Sequence, residues 1–165
     1  MNHKFIFSPD SGFTLIELML VIGLFAVLSS FVAVNLARPQ VTSSVDKNAN
    51  TIIADIKKQQ LDAMVGKYTS DSTENKGIYF ETNSYTLFSG NSYNAEDPNN
   101  FTINVEEGTT LTSINLPSNQ LVFEHLSGEI SGYISGNSSI TISHSGGQSI
   151  TISLNKMGGT NVIKN

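Results

Sequence analysis

The most constraining feature of the sequence is an apolar run over residues 13–36, which contains no proline and one ionisable side chain, Glu17. As a helix rising about 1.5 Å per residue, this run extends roughly 36 Å, enough to cross a hydrocarbon layer about 30 Å thick. A carboxylate at the centre of such a helix costs about 2.5–3.5 kcal/mol on insertion scales. The run therefore predicts a membrane-spanning helix, and Glu17 requires a specific explanation.

A secretory signal and a plain membrane anchor are two simple interpretations of the run, and neither explains all of its features. A secretory signal has a basic start, an apolar stretch of about 7–15 residues and a small-residue cleavage site. Here Lys4 is offset by Asp10, the run is too long, and Val27-x-Ser29 is a poor cleavage site. A plain single-pass anchor explains the length but leaves Glu17 unexplained, unless the residue is placed there by the favourable field at a helix N-terminus.

A third interpretation comes from the start of the run. Gly12 followed by "FTLIELMLVIGL" resembles the N-terminal signal of bacterial type IV pilins and type II secretion pseudopilins, with Gly12, Phe13 and Glu17 all in matching positions. The resemblance implies that residues 1–12 are a leader peptide, that a prepilin peptidase cleaves after Gly12, and that the same enzyme N-methylates Phe13. Residues 13–36 then form the transmembrane and polymerisation helix.

The resemblance also implies a role for Glu17. Its carboxylate meets the free α-amine of Phe13 in a neighbouring subunit and sets the axial register of a helical filament. A charge pair suits this use because each charge is costly to bury alone, and buried pairs set alignment more than they add stability. The apolar side chains expected to form the core of the span are Leu18, Leu20, Val21, Ile22, Leu24 and Phe25.

Some features depart from the pattern of major pilins. The leader has few basic residues, Val34 stands where many major pilins have a proline late in the apolar helix, and cysteine is absent, so no disulfide can close a loop in the head. These departures favour a minor pilin or pseudopilin over the major subunit of an adhesive fibre.

Residues 37–66 show an amphipathic helical pattern. Pro39 either kinks a continuous helix or ends its first segment, and Gly66 is the predicted C-cap. Between them, apolar residues and two glutamines recur at helical spacing. They are Val41, Val45, Ala49, Ile52, Ile53, Ile56, Gln59, Gln60, Ala63 and Met64. This stripe requires an apolar partner surface.

Residues 67–165 are expected to supply that surface as a β-rich head outside the cytoplasm. Alternating patterns and turn signals predict strands over 77–82, 85–90, 101–105, 110–116, 121–126, 129–134, 139–143 and 149–154. A hairpin is expected around Asn83-Ser84, another around "HSGGQ", an exposed loop over 90–101, and a short edge strand near the C-terminus. The predicted fold class is α+β, a pilin-like fold whose long helix packs on an antiparallel sheet.

The head pattern has a weaker resemblance of its own. A helix ending in a small residue, then "GIYF", "YTLFSG" and "LVFEHLSGEISG", resembles the GspH/FimT-like pseudopilins, in which a long helix packs on antiparallel sheets. This resemblance implies a minor pseudopilin.

Little in the sequence suggests catalysis or a bound cofactor. His3, His125 and His144 stand in unrelated contexts, and no metal-ligand spacing appears. Residues 71–77 have a faint likeness to a calcium loop, but Lys76 and Thr82 stand where an EF-hand has its glycine and its glutamate. An irregular oxygen site formed by Asp71, Glu74, Glu96 and Asp97 stays an open alternative. No nucleophile with an acid–base partner is apparent. We expect neither an enzyme nor a cofactor.

Three functions remain open. The first is a structural subunit of a pilus or pseudopilus, with other subunits, the prepilin peptidase, the membrane and an inner-membrane assembly platform as partners. The second is a minor pilin whose head binds DNA or a surface; the net charge of −5 argues against nucleic acid as a partner. The third is a membrane-anchored β-domain that never polymerises.

Overall fold

The computed structural model describes residues 12–65 and 74–165; within the helix, the side chains of residues 30–43 are not described. The chain divides into two compact units, Met1–Pro39 and Gln40–Asn165. Helix α1 spans Leu15–Val65 and includes Pro39, so the alternative in which the helix ends before this proline is wrong. The predicted C-cap at Gly66 lies outside the described residues.

The second unit contains eight described strands in two antiparallel sheets. One sheet has the order β3-β2-β1-β5 and the other β4-β6-β7-β8. The strands are β1 Lys76–Phe80, β2 Ser84–Ser89, β3 Phe101–Asn104, β4 Thr109–Asn115, β5 Gln120–Phe123, β6 Ser139–His144, β7 Ser149–Leu154 and β8 Thr160–Lys164. The α+β fold class is confirmed, and the architecture is consistent with a pilin-like fold.

Both predicted hairpins form because alternate residues are apolar and point to one face. In the first, Ile78 pairs with Leu87. In the second, Ile140 pairs with Ile152, and the near-identical strand sequences lie side by side. The C-terminal edge strand is also confirmed as β8.

The strand predicted over residues 129–134 is wrong. Its one described pairing is an isolated bridge between Ile130 and Phe123. Gly128 and Gly132 have positive φ values, which turn the chain away from extended geometry on both sides. Ile130 is buried and its N–H donates to the carbonyl of Lys156 at 2.9 Å. The buried side chain of Ile130 thus holds a turn against the core. Strand β5 ends at Phe123 instead of continuing to residue 126.

The predicted apolar stripe of α1 is largely confirmed within the head. Its buried members, which we call the buried stripe, are Val45, Ala49, Ile52, Ile56, Gln59 and Ala63. They pack in one core with inward residues of both sheets, including Phe80, Phe123 and Ile142. Met64 was expected in the core, but its side chain is 46% exposed.

One buried polar residue of α1 was not predicted. Asn48 is buried, and its Oδ1 accepts a 3.3 Å hydrogen bond from the N–H of Glu106, in the turn between β3 and β4. Its amide nitrogen donates to the carbonyl of Ser44 at 3.0 Å, so both ends of the side chain are paired. An asparagine is tolerated here because its polar atoms are satisfied.

An aromatic cluster covers the face of the β1–β2 hairpin that points away from α1. Tyr93, from the loop between β2 and β3, stacks on Tyr79 at 4.1 Å between ring centroids and meets the edge of Phe88 at 5.8 Å. Most of this loop is exposed, as predicted, but Tyr93 holds one part of it against the sheet.

Candidate processing and assembly site

The start of α1 is capped by Thr14. The N–H of Glu17 donates to Oγ1 of Thr14 at 3.3 Å and to its carbonyl at 3.1 Å. The hydroxyl of Thr14 in turn donates to Oε2 of Glu17 at 3.5 Å. A threonine at the N-cap and a glutamate three residues later form the sequence pattern of a capping box, which satisfies donors left free at a helix start.

This arrangement gives Glu17 a local reason for its position, since a carboxylate in the first turn also interacts favourably with the helix dipole. The bond to Thr14 is long and engages one carboxylate oxygen. A carboxylate can accept about four hydrogen bonds, and Glu17 is exposed, so it retains acceptor capacity for another group. Capping and a second interaction are therefore compatible.

The predicted cleavage point lies in an open part of the chain. Gly12 is exposed, and apart from its chain neighbours no atom of the described residues lies within 4 Å of the place where a Cβ would be added to it. The side chain of Phe13 is 82% exposed. An enzyme could therefore reach the peptide bond between these two residues.

The helix that follows is apolar on all sides and uncovered. Twelve large apolar side chains between residues 13 and 28 are more than half exposed. They include the six predicted core residues Leu18, Leu20, Val21, Ile22, Leu24 and Phe25. Because each residue advances about 100° around an α-helix, a run such as residues 18–22 covers every side. A helix that is apolar all round belongs in a larger core or in a membrane.

Within residues 12–65 and 74–165, the structure contains no helix with an apolar stretch sufficient to span a membrane. The side chains of residues 30–36, which belong to the predicted span, lie outside those described.

The described residues contain no group of three histidine, aspartate or glutamate side chains that could hold a metal. Of the irregular oxygen site, Asp71 lies outside the described residues, and Asp97 accepts bonds from the main-chain and side-chain N–H groups of Asn99 at 2.9 and 3.1 Å. His144 is part of a turn, where its Nδ1 accepts from the N–H of Gly146 at 2.9 Å.

The role of Thr14 was not predicted, although a signal for it was present. The four letters "TLIE" contain a threonine and a glutamate three residues apart, directly before an apolar run. This is the capping-box pattern.

The N-terminal signal around Gly12 also matches a known protein family model. Residues 8–33 match the family model of the prokaryotic N-terminal methylation motif. The match includes Gly12, Phe13 and Glu17 and most of the apolar run, and it indicates a prepilin-type N-terminus, typical of membrane-anchored pilins. It supports a type IV pilin-like protein. Neither a curated protein nor a solved structure matches the chain significantly.

Proposed function

We propose that this chain is a structural subunit, a minor pilin or pseudopilin, of a type IV pilus or type II secretion pseudopilus. A prepilin peptidase cleaves after Gly12 and N-methylates Phe13. Residues 13–36 hold the subunit in the cytoplasmic membrane with its head outside the cytoplasm. An inner-membrane assembly platform then adds it to a helical filament, which is periplasmic or extracellular.

The observation that carries this proposal is the uncovered apolar helix within the matched methylation motif. Apolar surface of this extent is unfavourable in water, at roughly 25 cal/mol per Å². A membrane covers it while the subunit is stored, and the same helix in other copies covers it in a filament. This alternation explains why the surface is apolar on every side.

Glu17 supports the assembly part of the proposal. After cleavage, the α-amine of Phe13 carries a positive charge within an otherwise apolar bundle. Glu17 is the one acidic residue of the run, and Thr14 leaves most of its acceptor capacity free. Pairing between the two groups of neighbouring copies neutralises both charges and defines how far one helix is shifted along the next.

The head supports a GspH/FimT-like minor pseudopilin over a major pilin. The second part of α1 packs on two antiparallel sheets, and no cysteine is present to close a disulfide loop. A structural role also agrees with the absence of any readable catalytic constellation in the sequence. We propose that the chain is a substrate of an enzyme and not itself one.

The charges of the head favour a structural role over DNA capture. Lys156 pairs with Glu129 at 2.8 Å, Lys164 with Asp46 at 2.6 Å, and Lys47 with Glu106. DNA affinity depends on cations available to neutralise phosphates. These three lysines already have acidic partners, which lowers the positive potential they present.

The test is mass spectrometry of the full-length product isolated from membranes, together with an assay of filament formation. We expect an N-terminus at Phe13 carrying one added methyl group. Gly12→Ala should abolish cleavage, whereas Glu17→Gln should leave cleavage intact and abolish assembly. Glu74→Gln, which removes an exposed carboxylate of the head, is the matched control and should assemble normally. An intact leader on assembled protein would contradict the proposal.

A further inference from the structure

The edges of the two sheets differ in how they are protected. The outer edge of β5 is covered, since the N–H of Ser131 donates to the carbonyl of Val122 at 2.8 Å. Strand β4 is interrupted by a bulge at Thr112, and the N–H of Leu111 is already bonded to Thr82 at 2.8 Å. Coverage and bulges are common ways to block edge pairing. In the described part of the chain, no backbone hydrogen bond joins the outer edge of β3 or β8 to another segment.

These two open edges lie on opposite flanks of α1. On one flank, Lys58 and Asp62 line a cleft together with Phe101, the first residue of β3. On the other flank, Asp46 pairs with Lys164, the last residue of β8. At about 100° per residue, positions 58 and 62 lie on one side of the buried stripe and position 46 on the other. The described residues of each head therefore present one open strand edge on either side of α1.

The two open strands also run in the same direction. Each begins near the C-terminal part of α1 and ends nearer the start of the head. At the beginning, Phe101 shares a cleft with Lys58, and Lys57 donates to the carbonyl of Gly158. At the end, Glu106 pairs with Lys47 and Lys164 pairs with Asp46. Heads placed side by side in one orientation would thus bring β8 of one copy alongside β3 of the next as parallel strands.

The exposed apolar residues of the two edges are on matching faces. Phe101 pairs with Leu87, and Val162 of β8 pairs with Ile152, so both side chains lie on the faces that carry the core. Phe101 is 63% exposed and Val162 is 41% exposed. Neighbouring strands are about 4.7–4.9 Å apart, so pairing of the two edges with their ends level would cover each of these side chains with the edge of the neighbouring copy.

We propose that β8 of one subunit pairs in parallel with β3 of a second copy of this chain, so that the sheets of adjacent heads become continuous. The contact is heterologous, with different surfaces on the two copies, and such contacts repeat into open filaments. The inference rests on the proposed function, because alignment of many copies in one orientation is what brings the two edges together.

The absence of cysteine allows a direct cross-linking test. We choose Asn104→Cys in β3 and Asn161→Cys in β8. Both asparagines are exposed and lie on the outer faces of their sheets, where Asn104 pairs with Ser84 and Asn161 with Ser153. Two differently tagged full-length copies, one with each substitution, are produced together and treated in membranes with an oxidant or a short bismaleimide. We expect a mixed cross-linked dimer, because paired strands bring Cα atoms within the roughly 4.4–6.8 Å that a disulfide spans.

In the control, the copy with Asn104→Cys is combined with a copy carrying Ser145→Cys. Ser145 lies in the exposed turn between β6 and β7, so little mixed cross-linked dimer should form. Val162→Lys tests the edge itself, since a charge on the core-facing side of an edge strand opposes pairing. We expect it to reduce the mixed product at least tenfold, while Ser145→Lys leaves the product unchanged. A thermal melt of each variant verifies that the head is folded.

The N-terminus of the same samples is determined by mass spectrometry, which separates this inference from the proposed function. Processed, assembled protein without the mixed product would overturn the inference and leave the proposed function in place. A mixed product from unprocessed chains would support edge pairing and contradict the proposed function. Cross-links between like copies only, or a mixed product insensitive to Val162→Lys, would also overturn the inference.

Discussion

The phenol of Tyr85 donates a 2.6 Å hydrogen bond to Oδ2 of Asp55, joining β2 to α1 inside the head. Tyr85 is only 2% exposed. Burial raises the pKa of the Tyr85 phenol far above its ordinary value, and the hydrogen bond to Asp55 and the negative charge of that carboxylate raise the pKa further. The head thus depends on this tyrosine keeping its proton.

Replacement of this phenol should destabilise the head. Tyr85→Phe removes a hydrogen bond to a charged acceptor, so we expect a loss of about 1.5–3 kcal/mol in the free energy of unfolding at neutral pH. Chemical denaturation of the full-length protein in detergent measures it. Tyr133→Phe, at a partly buried position with no described side-chain hydrogen bond, is the control and should cost less.

The same pair predicts a pH dependence. In the unfolded chain Tyr85 loses its proton above about pH 10, whereas the folded chain retains it, so above this pH the unfolded state binds fewer protons. Stability from this group is therefore complete below pH 10 and should fall by about 1.4 kcal/mol per pH unit above it. In Tyr85→Phe this contribution is absent, so the two stability curves should converge at alkaline pH. Parallel curves would contradict the prediction.

Gly77 should not tolerate a side chain. It pairs across the hairpin with Phe88, and an added Cβ would lie 2.3 Å from Cζ of that ring. We expect Gly77→Ala to lower the free energy of unfolding by about 1–3 kcal/mol through overpacking. In a double-mutant cycle, Phe88→Leu should make Gly77→Ala less costly, because the two residues share one space. Additive effects would show that the close approach is not the cause.

Gln60 connects α1 to two turns of the head. Its Nε2 donates to the carbonyl of Gly128 at 2.9 Å and to that of Met157 at 2.7 Å. Gln60→Glu keeps the size but removes the donor, and we expect it to cost about 1–3 kcal/mol. Leu61→Ala, at the adjacent exposed position, should have little effect. Hydrogen exchange of the backbone amides in the two turns measures the local effect. Equal amide protection in Gln60→Glu and Leu61→Ala would contradict the prediction.

The cap at Thr14 should matter for assembly. Loss of an N-cap side chain costs about 0.5–2 kcal/mol of helix stability. Thr14→Val keeps the shape without the hydroxyl and should reduce filament formation while cleavage after Gly12 continues. Thr14→Ser keeps the hydroxyl and should restore assembly. Normal assembly of Thr14→Val would show that Glu17 needs no support from this side chain.

Local patterns predicted most of the head correctly. The near copies around residues 139–154 formed a hairpin because their alternation points every isoleucine of the two strands to the buried face. The same kind of pattern misled at residues 129–134, where a buried isoleucine between two turning glycines resembles a strand segment. Met64 satisfies helical spacing but lies at the margin of the buried stripe, beside Gly128, where its side chain stays 46% exposed.

The sequence by itself determined the N-terminal motif, the apolar run and the α+β class, because each depends on residue order and spacing over short distances. Only the tertiary structure decided which edges remain open and which polar side chains are satisfied in the interior. Those features depend on which distant segments meet, and for the head that choice is made by packing both sheets against one face of α1.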